Sequence, residues 1–211
     1  DYYVDTAEFT APYRLKVGDN TLTSKMIIIC SGSRPLIPQI KGLDKISYLT
    51  SDTVLKLDRL PSSIAIIGGG FIAAEYGHFF ATMGSKVTII GRASQFLPEE
   101  EPEISALAKR ELQKHMAVIT NHEVKEAEKV SGGKKKLIAN DRASGKKLEV
   151  TADEVLVAAG RASNSDVLHP EKAGISVDKN GWIITNEYLE TNGRDFLFKT
   201  GCSAGTYIRK L

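Results

Sequence analysis

The run Ile64-Ala65-Ile66-Ile67-Gly68-Gly69-Gly70-Phe71-Ile72-Ala73-Ala74-Glu75-Tyr76-Gly77 constrains this chain more than any other stretch. Its apolar start reads as a buried strand, its three glycines as a tight turn, and the residues beyond as a helix. After Gly84 a second apolar stretch, 86–90, supplies another strand. Strand, glycine turn, helix and answering strand make the context in which a G-x-G-x-x-G pattern stops being a weak signal. Gly68 permits the turn and Gly70 lets an anion approach the backbone, while Ala73 and Gly77, one helical turn apart, let the helix press on the sheet. The unpaired N–H groups at such a helix start suit a pyrophosphate, which makes Gly68, Gly69, Gly70, Phe71, Ile72 and Ala73 candidate contacts for a dinucleotide. A glycine-rich turn in a ligand-free α/β core is the plainer alternative.

The rest of the chain fits an α/β protein. It has 211 residues and a net charge of +2, so the overall charge calls for neither nucleic acid nor a membrane surface. No apolar run reaches the roughly 18 residues of a membrane helix. The two cysteines, Cys30 and Cys202, form neither a C-x-x-C pair nor a metal-ligand cluster, and both suit small buried residues. A disulfide between them stays open. Cysteine usage gives a cytoplasmic setting as the default and no metal site. The chain opens at Asp1 with neither an initiator Met nor a signal pattern, which makes a piece of a longer protein the expectation.

Strands are expected at 13–17 and 24–30, the second buried, with a turn at Gly18-Asp19-Asn20. A short helix is expected over 51–57, capped by Ser51 or Asp52, before Pro61 resets the chain. The acidic run 99–103 leads into a helix expected to bury Ile104, Leu107, Ala108, Leu112 and Met116 on one face. A short strand at 117–120 is followed by an antiparallel meander over 124–130, 137–141 and 147–151. The apolar stretch 154–159 returns to the parallel sheet, and strands at 182–185 and 196–200 close the chain. The fold expected is an α/β, Rossmann-like parallel sheet with helices on both faces, plus the meander.

Three motifs then carry a family resemblance. Cys30-Ser31-Gly32-Ser33-Arg34-Pro35 resembles an "ATGSRP" crossing and Ala158-Ala159-Gly160-Arg161-Ala162-Ser163-Asn164 an "ATGRxPN" crossing, and between them the glycine turn sets Glu75 in a "GGGxIxxE" position. In this order and spacing the chain resembles the FAD-dependent pyridine nucleotide-disulfide oxidoreductases, with dihydrolipoamide dehydrogenase, glutathione reductase and mercuric reductase as the nearest types. The resemblance implies an NAD(P)-binding domain over 46–160, flanked by partial FAD-domain segments at 1–45 and 161–211. It implies hydride transfer from nicotinamide to FAD and on to a disulfide in a full-length parent, itself a homodimer, with Gly160 and Arg161 near the cofactors. Mercuric ion or oxygen as acceptor, or a non-catalytic nucleotide-binding or redox-sensing module, are the alternatives.

The family's N-terminal FAD cradle, its C-x-x-x-x-C redox pair and its C-terminal H-P-T-x-x-E are absent from this sequence. His169-Pro170 imitates the last motif but continues Glu171-Lys172, and His169 reads as a surface residue. Gly201-Cys202 stands where the family has "GD", and a thiol is a poor acceptor for a ribitol hydroxyl. The chain alone is therefore expected to hold no stoichiometric FAD. Phe71 matches the aromatic that covers the nicotinamide pocket and Glu75 the carboxylate that orients the ring; a packed core residue and a first-turn acid are their plainer readings. An NAD site usually ends its second strand on an acid, but here Gly91 takes that place and Arg92 follows. The pair favours NADP over NAD, although a second phosphate-binding arginine falls at Pro98.

Overall fold

A computed structural model describes residues 1–192 and the backbone of 198–200. The chain divides into two units, Asp1–Arg34 with Arg161–Leu211, and Pro35–Gly160. The first begins with an antiparallel sheet of β1 (Ala7–Ala11), β2 (Arg14–Val17) and β3 (Asn20–Thr23). Val17 pairs with Asn20, so Gly18 and Asp19 alone make the second turn. The expected strand over 24–30 shrinks to β4 (Ile27–Ile29), because Ser24 holds a local loop in which its Oγ donates to the Met26 carbonyl at 2.7 Å. Ile29 enters the core, but Met26 and Ile28 are exposed. Cys30, just beyond, is exposed rather than buried, and Cys202 lies outside the described residues. β5 (Ser33–Pro35) carries the chain across the 34/35 boundary.

In the second unit the parallel sheet runs in the order β12 (Glu154–Val157), β6 (Ser63–Ile67), β7 (Lys86–Ile90), β8 (Ala117–Ile119). Alternate side chains leave opposite faces of a strand, and here both faces are buried. Ile64, Ile66, Val87, Ile89 and Leu156 join one core with Ala73 and Phe80 of α1 (Phe71–Thr82) and with Ala108 and Leu112 of α2 (Pro102–Leu112). Ala65, Ile67, Ile90, Val155 and Val157 join another with Val124 and Ala127 of β9 (His122–Lys129), Leu137 and Ala139 of β10 (Lys135–Asp141) and Ala152 of β11 (Lys147–Ala152). Helices therefore cover one face, and the antiparallel sheet β11-β10-β9 covers the other where a second helical layer was expected. The mixed α/β reading stands with that change. Each fully buried Ile or Val contributes about 1.5–3 kcal/mol of burial, which explains why the two layers hold the sheet.

Two helices differ from expectation. The helix over 51–57 is a single 3-10 turn, Val54–Lys56, whose N-cap is Thr53. The Thr50 carbonyl accepts from the Val54 N–H at 2.9 Å, and Thr53 Oγ1 accepts from the Thr50 N–H at 2.9 Å. In α2, Ile104 and Leu107 are exposed, whereas Ser105 is buried with its Oγ donating to the Phe96 carbonyl. That hydrogen bond rotates the helix so that Ser105, Ala108 and Leu112 form the inward stripe. The first junction between units falls at 34/35, earlier than the expected 45/46, because Leu43 and Ile46 pack in the meander-side core and Lys41 bridges to Glu126.

The chain re-enters the first unit through β13 (Arg161–Ser163), which pairs with β5, and the single-turn α3 (Ser165–Leu168). The strand expected at 182–185 reduces to one bridge, Val177 to Ile183, because the Asp178 carboxylate gathers the N–H groups of Asn180 and Trp182 into a turn. β14 (Phe198–Thr200) pairs in parallel with β4. Phe9, Ile29, Ala173 and Ile175 form this unit's core.

Candidate functional site

All four parallel strands end at one edge, and the glycine turn lies there. Gly68 leaves β6 at φ +138°, and a Cβ on it would stand 2.0 Å from the Ala158 carbonyl oxygen at the end of β12. The Gly68 N–H donates to the Ile90 carbonyl (2.9 Å) and the Ala158 N–H to the Ile67 carbonyl (2.8 Å), so the turn is pinned to both neighbouring strands. In contrast, a Cβ on Gly70 would meet nothing within 4 Å. Gly70 caps α1 without a side chain, and the ladder begins with the Ala74 N–H to the Gly70 carbonyl (3.1 Å). The N–H groups of Phe71, Ile72 and Ala73 precede that first bond at the positive end of the helix dipole.

Ala73 is buried against the sheet, Ile72 is partly buried, and Phe71 and Glu75, four residues apart, are both exposed on one face of α1. Phe71 is 52% exposed, which removes the packed-core reading for it in this chain. A Cβ on Gly77 would lie 2.8 Å from Ile89 Cδ1, so the helix does approach the sheet closely there.

The end of β7 lies against the turn. A Cβ on Gly69 would be 3.3 Å from Gly91 Cα, and the Leu97 N–H donates to the Gly69 carbonyl at 2.7 Å. Thus the loop after β7 folds back over the glycines, with Phe96 and Leu97 buried beneath it. Arg92 is exposed at that strand end. Beside it, Glu123 sits below the usual carboxylate range because Lys125 hydrogen-bonds it, with the charges of Arg92 and Arg142 adding to the effect.

Gly160, at φ +129°, follows β12, and its carbonyl accepts from the Leu36 N–H at 2.9 Å. Arg161 belongs to the other unit, where its Nε donates to Ser33 Oγ at 2.6 Å and its Nη2 to the Ser33 carbonyl. Arg34 answers from the same strand pair: its two terminal nitrogens grip Asp166 at 2.9 and 2.8 Å, and Nη1 also donates to the Ser163 carbonyl. Asn164 Nδ2 donates to the Ser31 carbonyl at 3.0 Å. The two crossing motifs, some 130 residues apart in sequence, are thereby stitched together. His169 is half exposed, with Nδ1 3.2 Å from Glu171. Among the described residues no group of three or more His, Cys, Asp or Glu could hold a metal, and no helix is long and apolar enough to cross a membrane.

Sequence reasoning missed Ala158, whose carbonyl makes Gly68 obligatory, and Arg142, which the β10–β11 hairpin brings to Arg92. Neither had a local signal, because each contact depends on register across the sheet.

The strand order, with a glycine turn at the carboxyl edge between β6 and β12, is that of the nucleotide-binding half of a doubly wound α/β protein. The chain belongs to the pyridine nucleotide-disulphide oxidoreductase family, whose model matches residues 2–205. It is 35% identical over 187 residues to a mercuric reductase of Staphylococcus aureus, covering 88% of this chain and 34% of that protein. It is also 35% identical over 195 residues to a dihydrolipoyl dehydrogenase of Geobacillus stearothermophilus, covering 90% and 40%. Among solved structures, the HOCl-induced flavoprotein disulfide reductase RclA of Escherichia coli matches with a TM-score of 0.79 at 29% identity, over 92% of this chain and 44% of that one. The chain thus spans between about a third and somewhat under half of the length of these relatives.

Proposed function

We propose that this chain is the NAD(P)H-binding portion of a flavin-dependent disulfide oxidoreductase, with the unit Pro35–Gly160 holding the nucleotide and the unit Asp1–Arg34 with Arg161–Leu211 contributing to an FAD domain. The observation that carries the reading is the glycine turn itself. Gly68 is locked by Ala158, and Gly70, where an added Cβ would meet nothing within 4 Å, leads into three helix-start N–H groups. A pyrophosphate fits that space, since its charge suits the helix N-terminus and any side chain at Gly70 would occupy its approach. When bound, the nicotinamide supplies a hydride that reaches FAD in the full-length parent and passes as electrons to a disulfide.

This chain's residues bind and orient. The N–H groups of residues 70–73 hold the phosphates, Phe71 lies over the nicotinamide position, and Glu75, one turn on, orients the ring. At the far end, the exposed Arg92 favours NADP, because the acid that would take a ribose hydroxyl is replaced by Gly91. Gly160 and Arg161 shape the return of the chain toward the flavin segments. The full-length parent is read as a cytoplasmic homodimer that acts on a disulfide in the manner of dihydrolipoamide dehydrogenase. Mercuric ion as acceptor is supported on equal terms by the Staphylococcus aureus relative.

Calorimetric titration of the purified chain with NADPH and NADH tests the reading. Saturable binding is expected, tighter for NADPH. No binding of either nucleotide at about 1 mM to chain shown to be folded refutes it.

A further inference from the structure

The loop after β7 is tied to the β10–β11 hairpin, fifty residues further along the chain. The Asn121 N–H donates to the Ala93 carbonyl at 2.7 Å, and the His122 N–H to the Gly91 carbonyl at 3.0 Å. Asn121 Nδ2 reaches Asp141 Oδ1 at 3.1 Å, and the Arg142 N–H donates to the Asn121 carbonyl at 2.9 Å. The hairpin turn is rigid in its own right, since Asp141 Oδ1 also accepts from the Ala143 and Ser144 N–H groups at 2.7 and 3.2 Å. These bonds set Arg142 beside the strand end, with its Nη1 directed at the Arg92 carbonyl at 3.4 Å. Both arginines are exposed.

We propose that Arg142 is a second arginine for the 2′-phosphate of NADPH, delivered from the β10–β11 hairpin and acting beside Arg92. The inference rests on the glycine turn being the nucleotide site, and it deepens that reading by naming a specificity residue. In a doubly wound sheet the adenosine ribose lies at the end of the second strand, which here is Gly91-Arg92. A phosphate monoester presents three acceptor oxygens, and guanidinium forks match them. The position along the β7 loop where a second arginine was expected is Pro98; the hairpin fills the deficit from outside that loop. Arg142 has five N–H donors, of which the Arg92 carbonyl engages one nitrogen.

Two acids stand near the pair, Glu123 and Asp141. Glu123 is bonded to Lys125 at 2.7 Å, and Asp141 Oδ1 is taken by Asn121 and two backbone N–H groups. His122 Nδ1 lies 2.8 Å from the Thr120 carbonyl. Among the described residues neither Arg92 nor Arg142 forms an ion pair, so both guanidinium forks are open to an incoming anion although Glu123 feels their charge.

The test is a set of dissociation constants for NADPH, NADH and adenosine 2′,5′-bisphosphate, at fixed low salt, for wild type, Arg142→Ala and Arg142→Lys, with folding checked by circular dichroism. Arg142→Ala is expected to weaken NADPH and the bisphosphate about fivefold, as suits an exposed charged contact, and to leave NADH within about twofold. Arg142→Lys, which keeps the charge but not the fork, is expected to lose less than the alanine variant. The NADPH loss should shrink as salt rises. Equal weakening of NADPH and NADH, or an unchanged NADPH constant, overturns the inference while leaving the nucleotide site standing. Wild type that binds neither dinucleotide overturns the underlying reading instead.

Discussion

Gly68→Ala and Gly70→Ala separate the two things that the glycine turn does. At Gly68 the new methyl would sit 2.0 Å from the Ala158 oxygen, 2.6 Å from its carbonyl carbon and 3.3 Å from the Ala159 nitrogen, at φ +138°. All three obstructing atoms are backbone, so relief requires β12 to move away from β6, straining the Ala158-to-Ile67 hydrogen bond. Overpacking of this kind costs about 1–3 kcal/mol, and a disfavoured backbone conformation about another 1–3 kcal/mol. A loss of about 3–5 kcal/mol is expected, a large share of the ~5–15 kcal/mol that a typical domain has. Gly70 has φ −95° and open space around it, so alanine there should change stability by less than about 1 kcal/mol. Its methyl enters the phosphate approach, and NADPH and NADH should both weaken by about tenfold because the pyrophosphate is common to them. Urea denaturation followed by circular dichroism, with nucleotide titrations of the same preparations, reads both effects. A Gly68→Ala chain as stable as wild type, or a Gly70→Ala chain that binds both nucleotides normally, refutes the reasoning.

Arg92→Ala should weaken NADPH about tenfold while sparing NADH, and Gly91→Glu should reverse the preference; a Cβ at Gly91 meets nothing closer than 3.4 Å, so that variant should fold. If Arg92→Ala changes neither constant by more than about twofold, the NADP assignment is wrong. Lys135, 5% exposed, is held by Glu154, and Glu154→Ala should cost about 3 kcal/mol in urea unfolding whereas Lys135→Met should cost far less; equal losses would contradict this account. Asp141 lies below the ordinary carboxylate value, chiefly because the Ala143 and Ser144 N–H groups bond it. Its stabilisation is therefore complete above about pH 4 and is lost as pH falls through the lowered value. Protection of the Ala143 and Ser144 amides, taken as hydrogen exchange relative to the intrinsic rate at each pH, should fall selectively as acid is added, and a uniform fall across β9–β11 would count against the hairpin clasp.

Continuous apolar runs exposed β6 and β7, the glycine turn between them exposed α1, and short runs bounded by turn residues exposed the meander. Polar overrides were hidden. Ser105 turned α2 away from its apolar residues Ile104 and Leu107 through one hydrogen bond to the Phe96 carbonyl. β1 was invisible because Phe9 is its only fully buried residue. The glycine turn and Gly91-Arg92 were readable as motifs, and the structure does bring Gly69 and Gly91 together. Arg142 was not, since its place depends on how a hairpin packs against a loop fifty residues earlier. Replacement of a helical layer by the meander also lay beyond a one-dimensional pattern. A strand buried on both faces gives the same continuous apolar run whichever layer covers it.

The parallel sheet has two outer strands, and each is closed by a short local device. The Leu49 backbone straddles β12, donating to the Val155 carbonyl and accepting from the Val157 N–H, both at 2.8 Å. At the opposite side β8 is only three residues long, and the Val118 carbonyl accepts from Gln113 Nε2 at 3.3 Å. An unpaired rim of main-chain groups is where a second molecule would add its own strand and start an aggregate. With Leu49 and Gln113 occupying those positions, self-association through this sheet would first have to strip away two existing bonds or a capping amide. Crowded, newly made chains therefore have little templating surface to offer one another here.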